Sequence, residues 1–256
     1  MVEKGKIPNN VSNLWMYSLT YVTDVSPLAS LPELTKLALR NCSNMKDISS
    51  LSSLSGLTYL NLVDFPEVTD LSPLTSLTGL TDLGLSGFSE VTDISPPASL
   101  SGLTKLSLTD FPRAADLSPL SSLSGLIDLS LSGFPEITDI SPLASLSGLT
   151  KLSLTDFPGV TDLSPLAPLT RLTDLSLIAC NSISDYSSLA SLTNLTYLTI
   201  KTDSDFSAYD KTSGSAGTPP VYPPDKLPLG NLINLEQLTV NDVAYTFDGN
   251  GWNVYW

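Results

Sequence analysis

One spacing organises this sequence: apolar residues recur every 23 positions through nine consecutive units without an insertion or a deletion. The units begin at Val11, Leu34, Leu57, Leu80, Leu103, Leu126, Leu149, Leu172 and Leu195. A tenth unit begins at Leu235, 40 residues after the ninth, so the ninth unit carries 17 additional residues. A fixed period with the pattern L-x-x-L-x-L predicts a solenoid, in which each unit buries its apolar edge only against its neighbours.

The unit that begins at Leu149 shows how one repeat should fold. Leu149, Leu152 and Leu154 alternate with Lys151 and Ser153, and successive side chains of a strand point to opposite faces. We therefore predict one short strand per unit, with leucines inside and polar residues on a concave parallel sheet. The later phrase Asp-Ile/Leu-Ser-Pro-Leu predicts a turn of 3₁₀ or α-helix on the convex side. Serine favours the N-cap position there, and proline is tolerated at the first helical position.

Stacking the units aligns equivalent positions into columns. The ninth position is aromatic in five consecutive units and cysteine in the two units that flank them, which predicts a buried stack of rings and thiols. Cys42 and Cys180 lie six units apart, about 29 Å by strand spacing, whereas the Cα atoms of a disulfide lie within about 7 Å. A column of aspartates should cap backbone N–H groups of the convex turns. It comprises Asp24, Asp47, Asp70, Asp93, Asp116, Asp139, Asp162 and Asp185.

The phrase from Ile137 to Ala144, followed by Leu146 and Leu149, resembles the leucine-rich repeats of bacterial internalin-type surface proteins. The resemblance covers residues 11–245. It implies an α/β solenoid with a parallel sheet on the concave face and short 3₁₀ or helical turns on the convex face. It also implies that the concave face binds a partner protein. Phe or Cys stands where the repeats of that family usually have Asn, and the segment from Cys180 is similar to the cysteine-containing class of leucine-rich repeats.

The same alignment divides the chain. We expect an N-terminal cap over residues 1–10 and a solenoid of about ten repeats over residues 11–245, with an insertion at about 202–228. Residues 246–256 form either a C-terminal cap or the start of a truncated domain. Residues 1–10 contain no apolar core of a signal peptide. A secreted or cell-surface location follows from the resemblance, and the cytoplasm stays open as an alternative.

Composition argues against several function classes. The net charge of −14 and the lack of clustered Lys or Arg disfavour nucleic acid and anionic membrane surfaces. No window of about 20 apolar residues exists, so membrane insertion is not expected. The absence of histidine excludes Ser-His-Asp and Cys-His catalysis. No phosphate-binding glycine loop is present either. We therefore predict a non-enzymatic protein without a cofactor.

Aspartate recurs regularly enough to raise the question of metal binding. Asp64, Asp110 and Asp156 occupy the eighth position of their units and could supply oxygen ligands. Calcium, however, needs about six or more oxygens around one small sphere, and the sequence contains no EF-hand or glycine-rich calcium repeat. We predict no metal site.

Candidate binding residues gather at the two ends of the solenoid, because the central concave positions are small apart from an Asp/Lys column. Trp, Tyr and Arg are enriched at binding hot spots. The N-terminal candidates are Trp15, Tyr17, Lys36, Arg40, Tyr59 and Asn61. The C-terminal candidates are Ile178, Tyr197 and Lys201 and, inside the insertion, Phe206, Tyr209 and Tyr222. The alternatives are residues that merely cover a ragged first repeat and an insertion that packs on itself.

The sequence therefore favours a protein-recognition module with an unidentified protein partner. A structural spacer that presents a neighbouring domain is the main alternative. A weaker alternative is glycan or surface-lattice binding through the regular threonine rows. The chain should be a monomer or a dimer formed through the exposed edge of its sheet.

Overall fold

The computed structural model of the chain describes residues 8, 10–202, 227–240, 243–247 and 252–255. Its strands form one sheet in which the spatial order follows the order along the chain. The first ten strands are parallel to one another, as the repeat predicts. They are β1 (Asn13–Met16), β2 (Lys36–Arg40), β3 (Tyr59–Val63), β4 (Asp82–Ser86), β5 (Lys105–Thr109), β6 (Asp128–Ser132), β7 (Lys151–Thr155), β8 (Asp174–Ile178), β9 (Tyr197–Lys201) and β10 (Gln237–Val240).

The insertion does not disturb the register of the sheet. Tyr197 of β9 pairs with Gln237 of β10. Each is the third residue of its unit, although the two are 40 positions apart in the sequence. Most of the insertion, residues 203–226, lies outside the described residues, as does most of the N-terminal segment. The sheet continues into an antiparallel hairpin of β11 (Val243–Phe247) and β12 (Trp252–Tyr255), so residue 245 falls within a strand.

Short helical turns connect the strands on the opposite side of the solenoid. The 3₁₀ turns span Ser26–Ser30, Ser49–Ser53, Ser72–Ser76, Ser118–Ser122, Ser141–Ser145, Ser164–Leu166 and Ser187–Ser191, and α1 spans Ser95–Ala98. Among the described residues, no helix is long and apolar enough to cross a bilayer.

The aspartate column caps these turns, as predicted, but the predicted role of the serine is wrong. The backbone N–H of Ser118 donates to Oδ1 of Asp116 at 2.7 Å, and the serine hydroxyl donates to Oδ2 of the same carboxylate at 2.6 Å. Leu117 is the N-cap residue, and Ser118 is the first residue of the turn. Aspartate outcompetes serine because a carboxylate accepts both hydrogen bonds at once.

The core confirms the predicted columns of leucine, phenylalanine and cysteine. The five phenylalanine rings are fully buried and stack with centroid separations of 5.4–5.7 Å. Cys42 and Cys180 are free and buried at the two ends of this stack. Burial raises the pKa of both thiols to about 11, so they stay protonated and unreactive at neutral pH.

The eighth position of the first eight units has a left-handed backbone. Positive φ angles of 52–73° occur at Ser18, Asn41, Asp64, Gly87, Asp110, Gly133, Asp156 and Ala179. Asn, Asp and Gly tolerate this conformation better than other residues, which accounts for the recurring aspartates without a metal. Within the described part of the chain, no group of three or more His, Cys, Asp or Glu side chains could hold a metal ion.

A threonine ladder runs along the edge where the chain enters the strands. In this ladder, the hydroxyl of each threonine donates to the main-chain carbonyl one repeat earlier, as in the bond of 3.1 Å from Thr104 to Thr81. Similar bonds are made by Thr35, Thr58, Thr81, Thr150, Thr173 and Thr196. Ile127 occupies the equivalent position between Thr104 and Thr150 and interrupts the ladder.

Candidate concave interface

The concave face consists of three columns of outward-facing side chains, one for each outward position of the strands. The first column contains Asn13, Lys36, Tyr59, Asp82, Lys105, Asp128, Lys151, Asp174, Tyr197 and Gln237. The second contains Trp15, Ala38, Asn61, Gly84, Ser107, Ser130, Ser153, Ser176, Thr199 and Thr239. The third contains Arg40, Val63, Ser86, Thr109, Ser132, Thr155, Ile178 and Lys201, and Tyr17 extends it beyond β1.

Both lysines of the central first column form an ion pair with the aspartate of the next unit, as the cross-strand pattern predicts. Nζ of Lys105 lies 3.5 Å from a carboxylate oxygen of Asp128, and Nζ of Lys151 lies 3.7 Å from one of Asp174. Both pairs are partly exposed, and pairs of this kind contribute at most about 1 kcal/mol. Burial raises the pKa of Asp82, against the opposing effect of Lys105 and Lys36. The centre therefore offers serines and paired charges.

The N-terminal end is different, because large side chains are exposed there. Trp15 is 48% exposed and Tyr17 is 58% exposed. The guanidinium carbon of Arg40 lies 5.7 Å from the centroid of the Tyr17 ring, so the expected cation–π contact between these residues is present. We call the surface formed by Trp15, Tyr17, Lys36, Arg40, Tyr59 and Asn61 the N-terminal patch.

Small residues separate the large ones inside this patch. Ala38 faces the concave side, yet it is only 1% exposed, because it lies between Trp15 and Asn61 in the second column. Oδ1 of Asn61 lies 3.0 Å from the position that a Cβ on Gly84 would take, so the asparagine side chain leans over the glycine. The sequence analysis missed Ala38 and Gly84, although the alternation of large and small residues in one column would have indicated them.

Lys36 and Arg40 occupy opposite ends of β2. Lys36 lies beside Tyr59 in the first column, whereas Arg40 lies beside Tyr17 in the third. The two cations are four positions apart along the strand, which corresponds to about 13 Å. The six sequence-predicted residues therefore share one face, where a row that contains Trp15 and Asn61 lies between a row with Lys36 and a row with Arg40.

The described C-terminal candidates divide into two places. Ile178 and Lys201 are direct neighbours in the third column, whereas Tyr197 lies in the first column at the other end of β9. Tyr197 is 41% exposed and lines a shallow cleft of about 330 Å³ with Asp128, Lys151 and Asp174. The remaining candidates, Phe206, Tyr209 and Tyr222, lie outside the described residues.

Comparisons with known proteins show which solved structures share this architecture. No protein-family model and no curated sequence matches the chain. Among solved structures, internalin InlF from Listeria monocytogenes is 31% identical over 86% of this chain and 64% of its own, with a TM-score of 0.55. Internalin InlC2 from the same species is 34% identical over 61% of this chain and 65% of its own, with a TM-score of 0.50. The chain carries an internalin-type leucine-rich repeat. It spans slightly less than two thirds of either internalin structure.

A more distant structure shares the fold alone. The leucine-rich repeat ectodomain of the Arabidopsis thaliana receptor kinase GASSHO1/SCHENGEN3, in complex with CASPARIAN STRIP INTEGRITY FACTOR 2, is 17% identical over 77% of this chain and 25% of its own. Its TM-score is 0.52. The internalin-type repeat thus belongs to an architecture that extends to plant receptor ectodomains.

This internalin-type solenoid also has a lateral cleft that the sequence analysis missed. The cleft measures about 440 Å³ and is lined by Thr150, Arg171, Thr173, Asn194, Thr196, Asn234 and Glu236. The last position of the unit is glycine in the five units that end at Gly56, Gly79, Gly102, Gly125 and Gly148. The following units have Arg171, Asn194 and Asn234 at the corresponding position, and this change is the sequence signal for the cleft.

Proposed function

We propose that the chain is a non-enzymatic protein-recognition module and that its N-terminal patch contacts the partner. The observation that carries this proposal is the exposure of Trp15 and Tyr17, with the guanidinium of Arg40 over the Tyr17 ring. Large aromatic and arginine side chains dominate the energy of protein interfaces when a partner buries them. On the described concave face, this is where both kinds of side chain meet.

The central units support the same placement by contrast. Lys105 and Lys151 are already paired with aspartates of the chain itself, and the second column there consists of serines. A partner that bound at the centre would have to separate these pairs or leave them at the rim, and neither arrangement provides a strong anchor. We therefore place recognition at the end of the solenoid.

The structural relatives agree with recognition as a general role. Two are internalins, and the receptor ectodomain is in complex with CASPARIAN STRIP INTEGRITY FACTOR 2.

We further propose a secreted or cell-surface location, as for internalin-type proteins. We also propose that residues 11–245 form the solenoid and that residues 1–10 and 246–256 are short terminal segments. The 206–224 region of the insertion is a second place where a partner could bind.

An affinity capture from a cell-surface protein extract tests the proposal. The wild-type chain is compared with the double variant Trp15→Ala/Arg40→Ala and with a matched central control, Ser107→Ala/Ser130→Ala. A deletion of residues 206–224 is included, and the melting temperature of each variant is measured. Recognition at the patch predicts a protein that is retained by the wild type and the control but lost from the double variant, at similar melting temperatures.

Three other outcomes would contradict the placement or the function. A protein that is lost only with the 206–224 deletion would move the site to the insertion. If no protein is enriched specifically by any form of the chain, the structural spacer becomes the better account. Binding in a glycan array that does not depend on the patch would favour the glycan alternative.

A further inference from the structure

The charges of the N-terminal patch indicate what kind of partner it fits. We propose that the patch binds an extended, acidic segment of the partner protein. Two carboxylates of that segment contact Lys36 and Arg40, and an apolar side chain between them packs on Trp15. This inference rests on the proposed function and specifies the chemistry of the partner.

The cations of the concave face differ in their ion pairing. Lys105 and Lys151 each have aspartates on both sides in the first column, and each forms an ion pair. Lys36, in contrast, lies between Asn13 and Tyr59. Among the described residues, neither Lys36 nor Arg40 has a carboxylate oxygen within 4.0 Å.

The neighbours of Arg40 are also uncharged. It lies between Tyr17 and Val63 in the third column. In a chain with a net charge of −14, these two cations thus form no ion pair with a described residue, and they lie on the face that should meet the partner. Partners place complementary charges against such groups, because burying an unpaired cation is costly. Carboxylates on the partner satisfy this requirement.

The Arg40 side chain is held beside Tyr17. Its guanidinium carbon lies over the Tyr17 ring, 5.7 Å from the ring centroid. This contact restrains the group, and Arg40 remains exposed. The N–H donors of an exposed guanidinium can bind both oxygens of one carboxylate. Arg40 is therefore suited to a bidentate contact.

The spacing of the two cations matches an extended chain. Lys36 and Arg40 lie about 13 Å apart along β2 because they are four positions apart in the strand. In an extended partner segment, residues i and i+4 point to the same side at the same spacing, and residue i+2 points to that side between them. Opposite i+2 the patch presents the buried Ala38 and the half-exposed ring of Trp15. The segment that fits has an acidic residue, an apolar residue and an acidic residue at alternate positions.

A selection of random displayed peptides tests this inference without an identified partner. Peptides are selected on the wild-type chain, and those that also bind the Trp15→Ala/Tyr17→Ala variant are removed, so that only clones dependent on the patch remain. These clones should be enriched in two acidic residues four positions apart with an apolar residue midway. A representative synthetic peptide should bind about tenfold more weakly to Lys36→Gln and to Arg40→Gln, since each removes a charge-assisted contact. Lys105→Gln is the control and should bind as the wild type does.

The outcomes separate this inference from the proposed function. Patch-dependent clones that are neutral or basic, or that bind both glutamine variants unchanged, would overturn the acidic inference and leave recognition at the patch intact. A complete absence of patch-dependent clones would contradict the acidic segment. It would not contradict recognition itself, which only a failed affinity capture would contradict. A second copy of this acidic chain is the competing occupant. A concentration-dependent dimer in sedimentation that Arg40→Gln dissociates would replace the partner protein with self-association.

Discussion

The side chains of Tyr17 and Arg40 form a cation–π pair across the first two units, with the guanidinium carbon 5.7 Å from the ring centroid. The pair joins the residue that follows β1 to the last residue of β2. Both side chains are exposed, so the contact lies on the surface and not in the core. Its main consequence is that it holds an arginine in one orientation on the face where recognition is proposed.

Arg40→Ala should therefore separate stability from binding. An exposed cation–π pair contributes about 0.5–1 kcal/mol, so the free energy of unfolding should fall by no more than about that amount. Capture of the partner should be lost. Denaturant unfolding and capture of the same preparation check both expectations. A large loss of stability would instead indicate a structural role for the pair.

The phenylalanine stack makes a contrasting prediction in the core. Phe111 is fully buried between Phe88 and Phe134, and truncation of a buried phenylalanine to alanine costs about 3–5 kcal/mol. Phe111→Ala should therefore lower the denaturation midpoint strongly. Ser107→Ala, on the concave face of the same unit, should change the free energy of unfolding by less than about 0.5 kcal/mol. Equal effects of the two substitutions would contradict the buried stack.

Two glycines should respond differently to the same substitution. Gly133 has a φ angle of 73°, and a Cβ placed there would lie 2.9 Å from Oδ1 of Asp110. Gly133→Ala should therefore destabilise the chain by about 1–2 kcal/mol from the left-handed conformation alone. Gly125 lacks a positive φ, and the atom nearest to its Cβ would be 3.6 Å away, so Gly125→Ala should be neutral or slightly stabilising. Thermal unfolding of the two variants distinguishes these expectations.

The aspartate caps predict sensitivity to acid. Hydrogen bonds from the following serines lower the pKa of Asp24, Asp70, Asp116, Asp162 and Asp185 below the ordinary value of 3.8. A carboxyl group whose pKa is lower in the folded state stabilises the fold above its unfolded pKa and loses that effect as the pH falls through its folded pKa. The melting temperature should therefore fall as the pH drops below about 4.

Asp116→Asn provides the control for this titration. Asparagine can still accept the bond from the backbone N–H of Ser118, but it does not ionise and it loses the second carboxylate oxygen. The variant should melt below the wild type at neutral pH, and acidification should narrow the difference between them. A constant difference over the whole acidic range would show that this cap does not contribute to the pH dependence.

The break in the threonine ladder predicts a stabilising substitution. Ile127 is 48% exposed and lies where the neighbouring units have a threonine that bonds to the preceding repeat. Ile127→Thr should supply the missing bond to the Thr104 carbonyl and raise the free energy of unfolding by about 0.5–1 kcal/mol. Thr150→Val removes the next bond of the ladder and should therefore lower the free energy of unfolding. A loss of stability in Ile127→Thr would indicate that packing of the isoleucine side chain stabilises the fold more than the threonine bond does.

The repeat period made much of the fold predictable. Because every 23rd residue occupies the same place, Leu149, Phe157 and Asp162 could each be assigned from their columns. The period could not separate two acceptors that compete for one turn, so a capping role was predicted for both the serine and the aspartate, and only Asp116 and its equivalents take it. The left-handed eighth position was also missed, because aspartate serves both metal ligation and this backbone conformation.

The candidate site was less predictable than the fold. The sequence brings Tyr17 and Arg40 together because their positions in neighbouring units correspond. It does not show that Ala38 is covered by its neighbours, since burial on a concave face depends on how far adjacent side chains extend. Tyr197 and Lys201 are close in sequence, yet a strand holds them about 13 Å apart. The closing hairpin of β11 and β12 falls where the period ends, so no column indicated it.

Site-specific photo-crosslinking tests the central claim most directly. A benzophenone side chain is placed at Asn61 in the N-terminal patch, at Ser153 in the centre of the concave face and at Thr138 in a convex loop, and each chain is irradiated with the captured protein. The account predicts a covalent adduct from position 61 and none from positions 153 and 138. An adduct from position 153 or 138 without one from position 61 would contradict recognition at the N-terminal patch.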